Sequence, residues 1–300
     1  MSPLHIFVDH YFDCDVYGIF FELLKKVGPI MPNYMQNGVE IWRLRTSLET
    51  WIRWFFWLIG LSIIFFAWNT ISEKTVWFFV QDAPRQAVDI GSRMMPPKWS
   101  YLDKLWKPVW DTINIATLGT VIAMAIAVPV AFATARNTTP NILVRSIGLF
   151  VIVSSRSVNS LIWALILVFI LGPGVLAGTI AIGLRSVGFC AKLIYESIEE
   201  IDQTQVEAIE ATGASGAQKM IFGILPQVLP TIAGVGIYRW DINIRESTIL
   251  GLVGAGGIGL QLNGSLNTLA WTQVSLILIV ILATVFVSEW VSAKVRGAII

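Results

Sequence analysis

The sequence predicts an all-α integral membrane protein of about six transmembrane helices with both termini cytoplasmic. Three observations carry that expectation. Hydrophobic residues fill 55% of the 300 positions and charged residues only 14%, against about 25% charged in an ordinary soluble domain. Several apolar runs reach the roughly 20 residues that a bilayer crossing requires. Trp51, Trp54 and Trp57 cluster where the first run begins, as interfacial anchors do. The net charge of +1 carries no signal for an acidic or nucleic-acid partner, and no nucleic acid is expected. Cys14 and Cys190 stand too far apart in sequence to imply a disulfide framework. No cleavable signal peptide is visible, because residues 1–15 hold acids and histidines where a basic and then an apolar region belongs.

Taken in order, residues 1–50 are mixed in composition and read as a cytoplasmic or interfacial segment, with an amphipathic stretch over 17–27 ending near Lys25 and Lys26. Residues 51–108 form the first span (54–71, entered through Arg43, Arg45 and Arg53) and an external loop. That loop contains Pro84, Pro96, Pro97 and Pro108 and has room for one short surface helix. Residues 109–300 make the main body. The second span covers 109–135, ending at Arg136 before a turn at Pro140. The third covers 147–171, interrupted by Ser154-Ser155-Arg156-Ser157, and Gly172-Pro173-Gly174 turns the chain into the fourth, 175–193. A polar segment over about 195–226 precedes the fifth span at 229–250, and the sixth occupies 274–293. Arg136, Arg145, Lys192, Lys219, Lys294 and Arg296 all fall on one side, which the positive-inside rule makes cytoplasmic. The external loop runs against the rule: Lys74, Arg85, Arg93, Lys98, Lys104 and Lys107 outnumber Glu73, Asp82, Asp89 and Asp103 there.

The polar segment holds Glu207-Ala208-Ile209-Glu210-Ala211-Thr212-Gly213 and, further on, Leu225-Pro226. Good helix formers predict a helix over 197–211 stopped at Gly213, then a second over 217–222 that Pro226 ends. Helix, glycine turn and helix make a compact knob for a partner to push. This segment resembles the EAA motif of ABC importer permeases, with Glu207, Ala208, Gly213, Leu225 and Pro226 in register. Ile209 stands where that motif has a second Ala, and Gly223 where Ile is usual. The resemblance implies a type I importer permease fold in a bacterial inner membrane. It also implies a coupling helix, with Glu207, Ala208, Glu210, Gly213, Ala214, Leu225 and Pro226 docking on an ABC ATPase subunit. Two ATPase copies, a periplasmic or lipid-anchored binding protein and a second permease copy, identical or a sibling, complete such an assembly. The chain contains no G-x-x-x-x-G-K-[ST] loop. It is therefore expected to bind no cofactor and to be no enzyme, with ATP and Mg used by the partner.

Charges inside the spans form the second signal. Arg239, Asp241, Asn243, Arg245, Glu246 and Ser247 fall within or at the end of the fifth span. Each ionisable group there costs at least ~2.5–3.5 kcal/mol near the bilayer centre, so it faces protein or water and pairs. Spacing pairs Asp241 with Arg245 at i,i+4 and puts Arg239 close enough to Asp241 to share neighbours. Arg156 and Arg185 lie in the cytoplasmic halves of the third and fourth spans. Two readings stand together: a buried ion-pair network locking the fifth helix to its symmetry mate, or a wet, partly positive path for an oxyanion, which guanidinium forks suit. For Arg185, snorkelling toward headgroups is a further alternative.

The run from Ser247 to Gly259, with the preceding Asn243-x-Arg245-x-Ser247, is similar to the signature of phosphonate-type permeases, and the resemblance spans about 111–264. Asp241 stands where that family usually has Glu, and Arg156-Ser157-Val158-Asn159-Ser160 lacks its usual Pro and acid. The implied cargo is a phosphonate, phosphite, hypophosphite or phosphate. Gly254-x-Gly256-x-x-Gly259 mimics a dinucleotide fingerprint, but a membrane helix precedes it and an apolar span follows. Gly254, Gly256, Gly257 and Gly259 read instead as flexible or re-entrant backbone at the outer face, tolerable where it lines a protein cavity and placed to help gate the mouth. His5, His10 and Cys14 offer no fourth spaced ligand, so no metal is expected. An ion-coupled secondary transporter would favour inverted repeats and broken helices at matching positions. An intramembrane enzyme would need a Ser/His, Cys/His or metal constellation within the spans. None is visible.

Overall fold

A computed structural model describes residues 33–36, 39–42 and 47–299. The stretch 17–27, His5, His10, Cys14, Arg43 and Arg45 lie outside the described residues. The chain divides into two units, Met1–Asp82 and Ala83–Ile300.

The first unit holds an antiparallel hairpin, β1 (Asn33–Gln36) with β2 (Val39–Trp42), a small addition to an otherwise helical chain among the described residues. Helix α1 (Ser47–Lys74) follows, and none of its apolar window is buried within the chain. A helix that is apolar all round with no protein cover is suited to lipid. Its last turns fold back on the next helix, with Trp77 Nε1 donating to Ser72 Oγ at 3.2 Å.

Helix α2 (Trp77–Met94) exceeds the short surface helix expected in the loop. Phe79, Ala83, Ile90 and Met94 share one face at helical spacing, and Arg85, Asp89 and Arg93 form a row beside it. A 3₁₀ turn, Trp99–Lys104, leads into the main body.

The second unit is built around a seam between α3 (Trp106–Thr134) and α6 (Val175–Glu199). Lipid supplies no hydrophobic force between helices, so close contact of small side chains has to hold them. Ala116, Ala123, Ala127 and Ala131 of α3 and Ala181 and Ala191 of α6 are fully buried. A Cβ added at Gly119 would lie 2.9 Å from Ile182 Cγ2, so the helices meet where a side chain is missing.

The third span is broken, but just beyond the polar run expected to interrupt it: Ser154 to Ser157 stay helical and the break falls at Val158–Asn159. Helices α4 (Ile142–Ser157) and α5 (Ser160–Leu171) bend by 86° at the break, where Asn159 caps α5 by accepting from Leu161 N at 3.1 Å. Ser155 occupies the polar run for a reason. Its hydroxyl donates to the Leu184 carbonyl and accepts from Gly188 N at 2.9 Å, the two α6 groups that a regular helix would join to each other.

Beyond α6, a break at Glu200 to Asp202 starts α7 (Gln203–Ala211). A turn, Gly216–Gln218, and a π-helical stretch, Lys219–Ile224, then run without interruption into α8 (Leu225–Leu250). This corrects the expected boundaries. The fourth span continues to Glu199, and the fifth is a 38-residue helix over Gly216–Val253. Pro226 ends nothing: it sits in the first turn of α8, behind the widened π stretch, where its missing N–H costs little. Helices α9 (Ile258–Asn267) and α10 (Trp271–Ile299) complete the unit.

Hydrogen bonds mark its two ends. At one, Arg136 N donates to Glu199 at 2.8 Å and Asn137 to the Ile198 carbonyl at 2.8 Å. At the other, Gly174 N donates to Gly254 O at 3.1 Å. By length and composition, five helices among the described residues can cross a membrane, six counting the bent pair.

Candidate functional site

Three arrangements carry all but one of the sequence-predicted residues: the elbow at 202–226, the charges on α6 and α8, and the glycine run at 254–259.

In the elbow, Asp202 caps α7, accepting from Thr204 N at 3.0 Å. Hydrogen bonding by the Thr204 side chain and backbone N–H holds its carboxyl below the ordinary carboxylate value. Val206 faces inward and joins Ile198, Ile224 and Val228 in one buried cluster. The opposite side of α7 is left outward, so Glu207, Ala208 and Glu210 are exposed. Gly213 reverses the chain at φ +80°, a conformation glycine adopts without penalty, and its N–H closes on Glu210 O at 2.9 Å. Lys219 Nζ reaches back to Glu210 at 3.1 Å, and a Ser215/Gln218 capping box starts the second limb. Gln227 staples the base, accepting from Asp202 N at 3.0 Å and donating to Gly223 O at 2.7 Å. A depression of about 390 Å³ opens on the surface, lined by Ile209, Thr212, Gly213, Ala214, Gln218 and Phe222. Leu225 is half-buried and Pro226 exposed just beyond it.

The two departures from the EAA pattern meet here. A Cβ at Gly223 would lie 3.4 Å from Ile209 Cδ1. The larger residue on α7 is matched by the smaller one opposite.

The charges sort into two sets. Arg245 pairs with Asp241, as the i,i+4 spacing predicts, and Asp241 also accepts from Ser288 Oγ of α10 at 2.8 Å. Arg239 does not share that site. It is 3% exposed, donates through Nε to Ser186 Oγ at 2.9 Å, and holds both Glu246 oxygens at 3.3 Å. Seven residues apart, Arg239 and Glu246 return to one face of α8, as Arg239 and Asp241 cannot. Arg185 reaches the same Glu246 at 3.5 Å. Because α6 runs on to Glu199, Arg185 lies near mid-helix, where it pairs with an acid. Ser186 continues the network to Asn243 at 3.2 Å, and Asn243 donates to Thr120 of α3 at 2.8 Å. Ser247, fully buried, hydrogen-bonds the Thr112 carbonyl at 3.3 Å. Arg156 stands apart, exposed in the last turn of α4 and joined to none of these groups.

The glycine run is close-packed. Gly254, Gly256 and Gly257 have φ values of +90°, +85° and +72°, and Ala255 through Gly259 are buried. A Cβ at Gly259 would fall 1.9 Å from Thr248 O, and one at Gly256 would fall 3.0 Å from Val175 N. The turn locks α8 to the start of α6 because each missing side chain admits another backbone.

The family described as "Binding-protein-dependent transport system inner membrane component" matches residues 127–296, which include the elbow, the charge network and the glycine turn. The chain belongs to that family. As an inner membrane component it is a multi-pass transport subunit. It is 42% identical over 207 residues to the phosphite transport system permease protein PtxC of Stutzerimonas stutzeri, covering 69% of this chain and 75% of that one. It is 36% identical over 244 residues to the phosphate-import permease protein PhnE of Mycolicibacterium smegmatis, covering 81% of this chain and 45% of that one. Among solved structures, an inward-facing MetNI methionine ABC transporter aligns at TM-score 0.59 and 20% identity, over 68% of this chain and 99% of that chain. At that identity the likeness speaks for the fold, a type I ABC permease.

Sequence reasoning missed Ser186 and Ser288, which hydrogen-bond Arg239 and Asp241, and Thr120, which accepts from Asn243. They are short polar residues inside apolar spans, and only their partners distinguish them from ordinary small packing residues. The alanine and glycine spacing along the second span was the one readable sign of the α3–α6 seam.

Proposed function

We propose that this component is the permease of an ATP-driven importer that carries a phosphorus oxyanion (phosphonate, phosphite, hypophosphite or phosphate) into a bacterial cytoplasm. The observation that carries the coupling half is the outward row of Glu207, Ala208 and Glu210 beside the Gly213 depression, braced from behind by Val206 and Gln227. A rigid knob with a polar face and an apolar notch suits a groove on a separate ATPase subunit. The substrate half draws on relatives named for phosphite transport and phosphate import, together with a path whose arginines match oxyanion geometry.

In this reading two permease copies, identical or sibling, share a central path. Two ATPase subunits bind the elbows and hydrolyse ATP with Mg, and a periplasmic or lipid-anchored binding protein delivers the anion. This chain binds no cofactor and catalyses no reaction itself. The glycine turn keeps its assignment to the outer mouth, as a rigid hinge instead of a loose flap. An ion-coupled transporter would favour broken helices at two matching positions; the described residues contain one such break.

Reconstitution tests the reading. Proteoliposomes holding the chain, its ATPase subunit and its binding protein take up labelled phosphite or phosphonate only with ATP inside the ATPase compartment. Uptake driven by an ion gradient without the ATPase would overturn it.

A further inference from the structure

The charges between α6 and α8 do not cancel. Arg245 has Asp241 to itself, whereas Arg185 and Arg239 share Glu246. Three guanidiniums against two carboxylates leave one positive charge among these residues, and it falls on the two arginines that share Glu246.

Arg239 is held through Nε and Nη2. Ser186 and both Glu246 oxygens take its hydrogen bonds, the Phe189 ring lies 5.2 Å from its guanidinium carbon, and its side chain is 3% exposed. Arg185 is the reverse case. It approaches Glu246 through Nε alone, at 3.5 Å, and its side chain is 32% exposed. Its terminal nitrogens donate no hydrogen bond among the described residues. The terminal fork of a guanidinium is the part that meets two oxygens of a tetrahedral anion at once.

We infer that Arg185 is the transient anion contact of the transport path, and that Glu246 is the built-in anion against which the cargo exchanges. The inference rests on the proposed oxyanion cargo. With the path empty, Glu246 holds Arg185 loosely. An arriving oxyanion takes the free fork, while Glu246 keeps its two contacts to Arg239, so the buried guanidinium never loses its counter-ion. The carboxylate then stands beside the bound anion and repels it, which shortens its stay. A path needs binding strong enough for entry and weak enough for exit. The shared carboxylate supplies the second condition.

The experiment uses the assembled permease, ATPase and binding protein in proteoliposomes, with labelled phosphite as the probe. Arg185→Gln is expected to cut ATP-driven uptake at least tenfold while ATP hydrolysis stimulated by the binding protein stays within twofold of wild type. Arg185→Lys, which keeps the charge without the fork, should transport at an intermediate rate. Glu246→Gln preserves size and an acceptor for Arg239 but removes the competing charge. Its complex, without binding protein, should retain at least threefold more labelled phosphite than wild type. Wild-type uptake by Arg185→Gln, parallel loss of uptake and hydrolysis in both Arg185 variants, or unchanged retention in Glu246→Gln would each overturn the inference. A wild-type complex that moves no phosphorus oxyanion overturns the proposed function itself, and that failure is read before any variant is compared.

Discussion

Ile209 and Gly223 face one another across the elbow, close enough that a Cβ at Gly223 would touch Ile209 Cδ1 at 3.4 Å. Each residue departs from the EAA pattern, and each makes room for the other. Gly223→Ile alone should overpack the contact and lower stability by about 1–3 kcal/mol. Combining it with Ile209→Ala should recover most of the loss. Thermal unfolding of the two single variants and the double variant in detergent measures the coupling, and strict additivity would show the positions to be independent.

Gly213 turns the chain at φ +80° between the two limbs of the elbow. A side chain there costs roughly 1–2 kcal/mol of backbone strain. Gly213→Pro forces φ near −65° and should displace the limbs outright. Gly213→Pro and Glu207→Lys should both insert normally into the membrane and lose co-purification with the ATPase subunit. Wild-type yield of the partner would count against the docking assignment.

Arg239 depends on Glu246 in a way that Arg185 does not. Glu246→Ala leaves a 3% exposed guanidinium without a counter-charge, and breaking a buried pair in this way costs about 3–5 kcal/mol. Arg185→Ala removes a half-exposed contact and leaves Glu246 with Arg239, so its effect on unfolding should be much smaller. Arg245→Ala strands the buried Asp241 with Ser288 alone and should lower transport or assembly. Unfolding temperatures and uptake rates of the three variants order these effects.

Gly259 and Gly264 lie on the same short helix and make an internal control. A Cβ at Gly259 would lie 1.9 Å from Thr248 O, whereas one at Gly264 meets nothing within 4 Å. Gly259→Ala should abolish accumulation of folded protein. Gly264→Ala should be neutral or mildly stabilising, by up to ~1 kcal/mol, because alanine favours the helix. Expression and monodispersity in detergent compare the two.

Asp202 has its carboxyl held below the ordinary value by Thr204. A carboxylate depressed on folding contributes stability that is present above the unfolded value, near 3.9, and is lost as pH falls through the lower folded value. Hydrogen-exchange protection of α7 should therefore weaken below about pH 4. Asp202→Asn still caps the helix but cannot titrate, so its protection should lose that pH dependence.

Much of this was legible beforehand. The spans follow from apolar runs, a break in the third span from its mid-span polar residues, though it falls at Val158–Asn159 just past them, and the Asp241–Arg245 pair from spacing along one helix. The boundaries near Pro226 were misread because proline stops a helix only where its N–H is needed, and a π-helical turn upstream removes that need. Arg239 was assigned the wrong neighbour because nearness in sequence favoured Asp241, while the face of α8 favours Glu246.

What the sequence by itself determined is local: which segments enter lipid, where a polar elbow interrupts them, and which charges cannot stay unpaired. Only the tertiary structure decided that Arg185 and Arg239 share Glu246, and that the glycine run is closely packed. Those outcomes depend on how closely α6 approaches α8 and the turn beyond it. That distance is set by side chains absent from glycine and alanine, and it joins residues more than fifty positions apart.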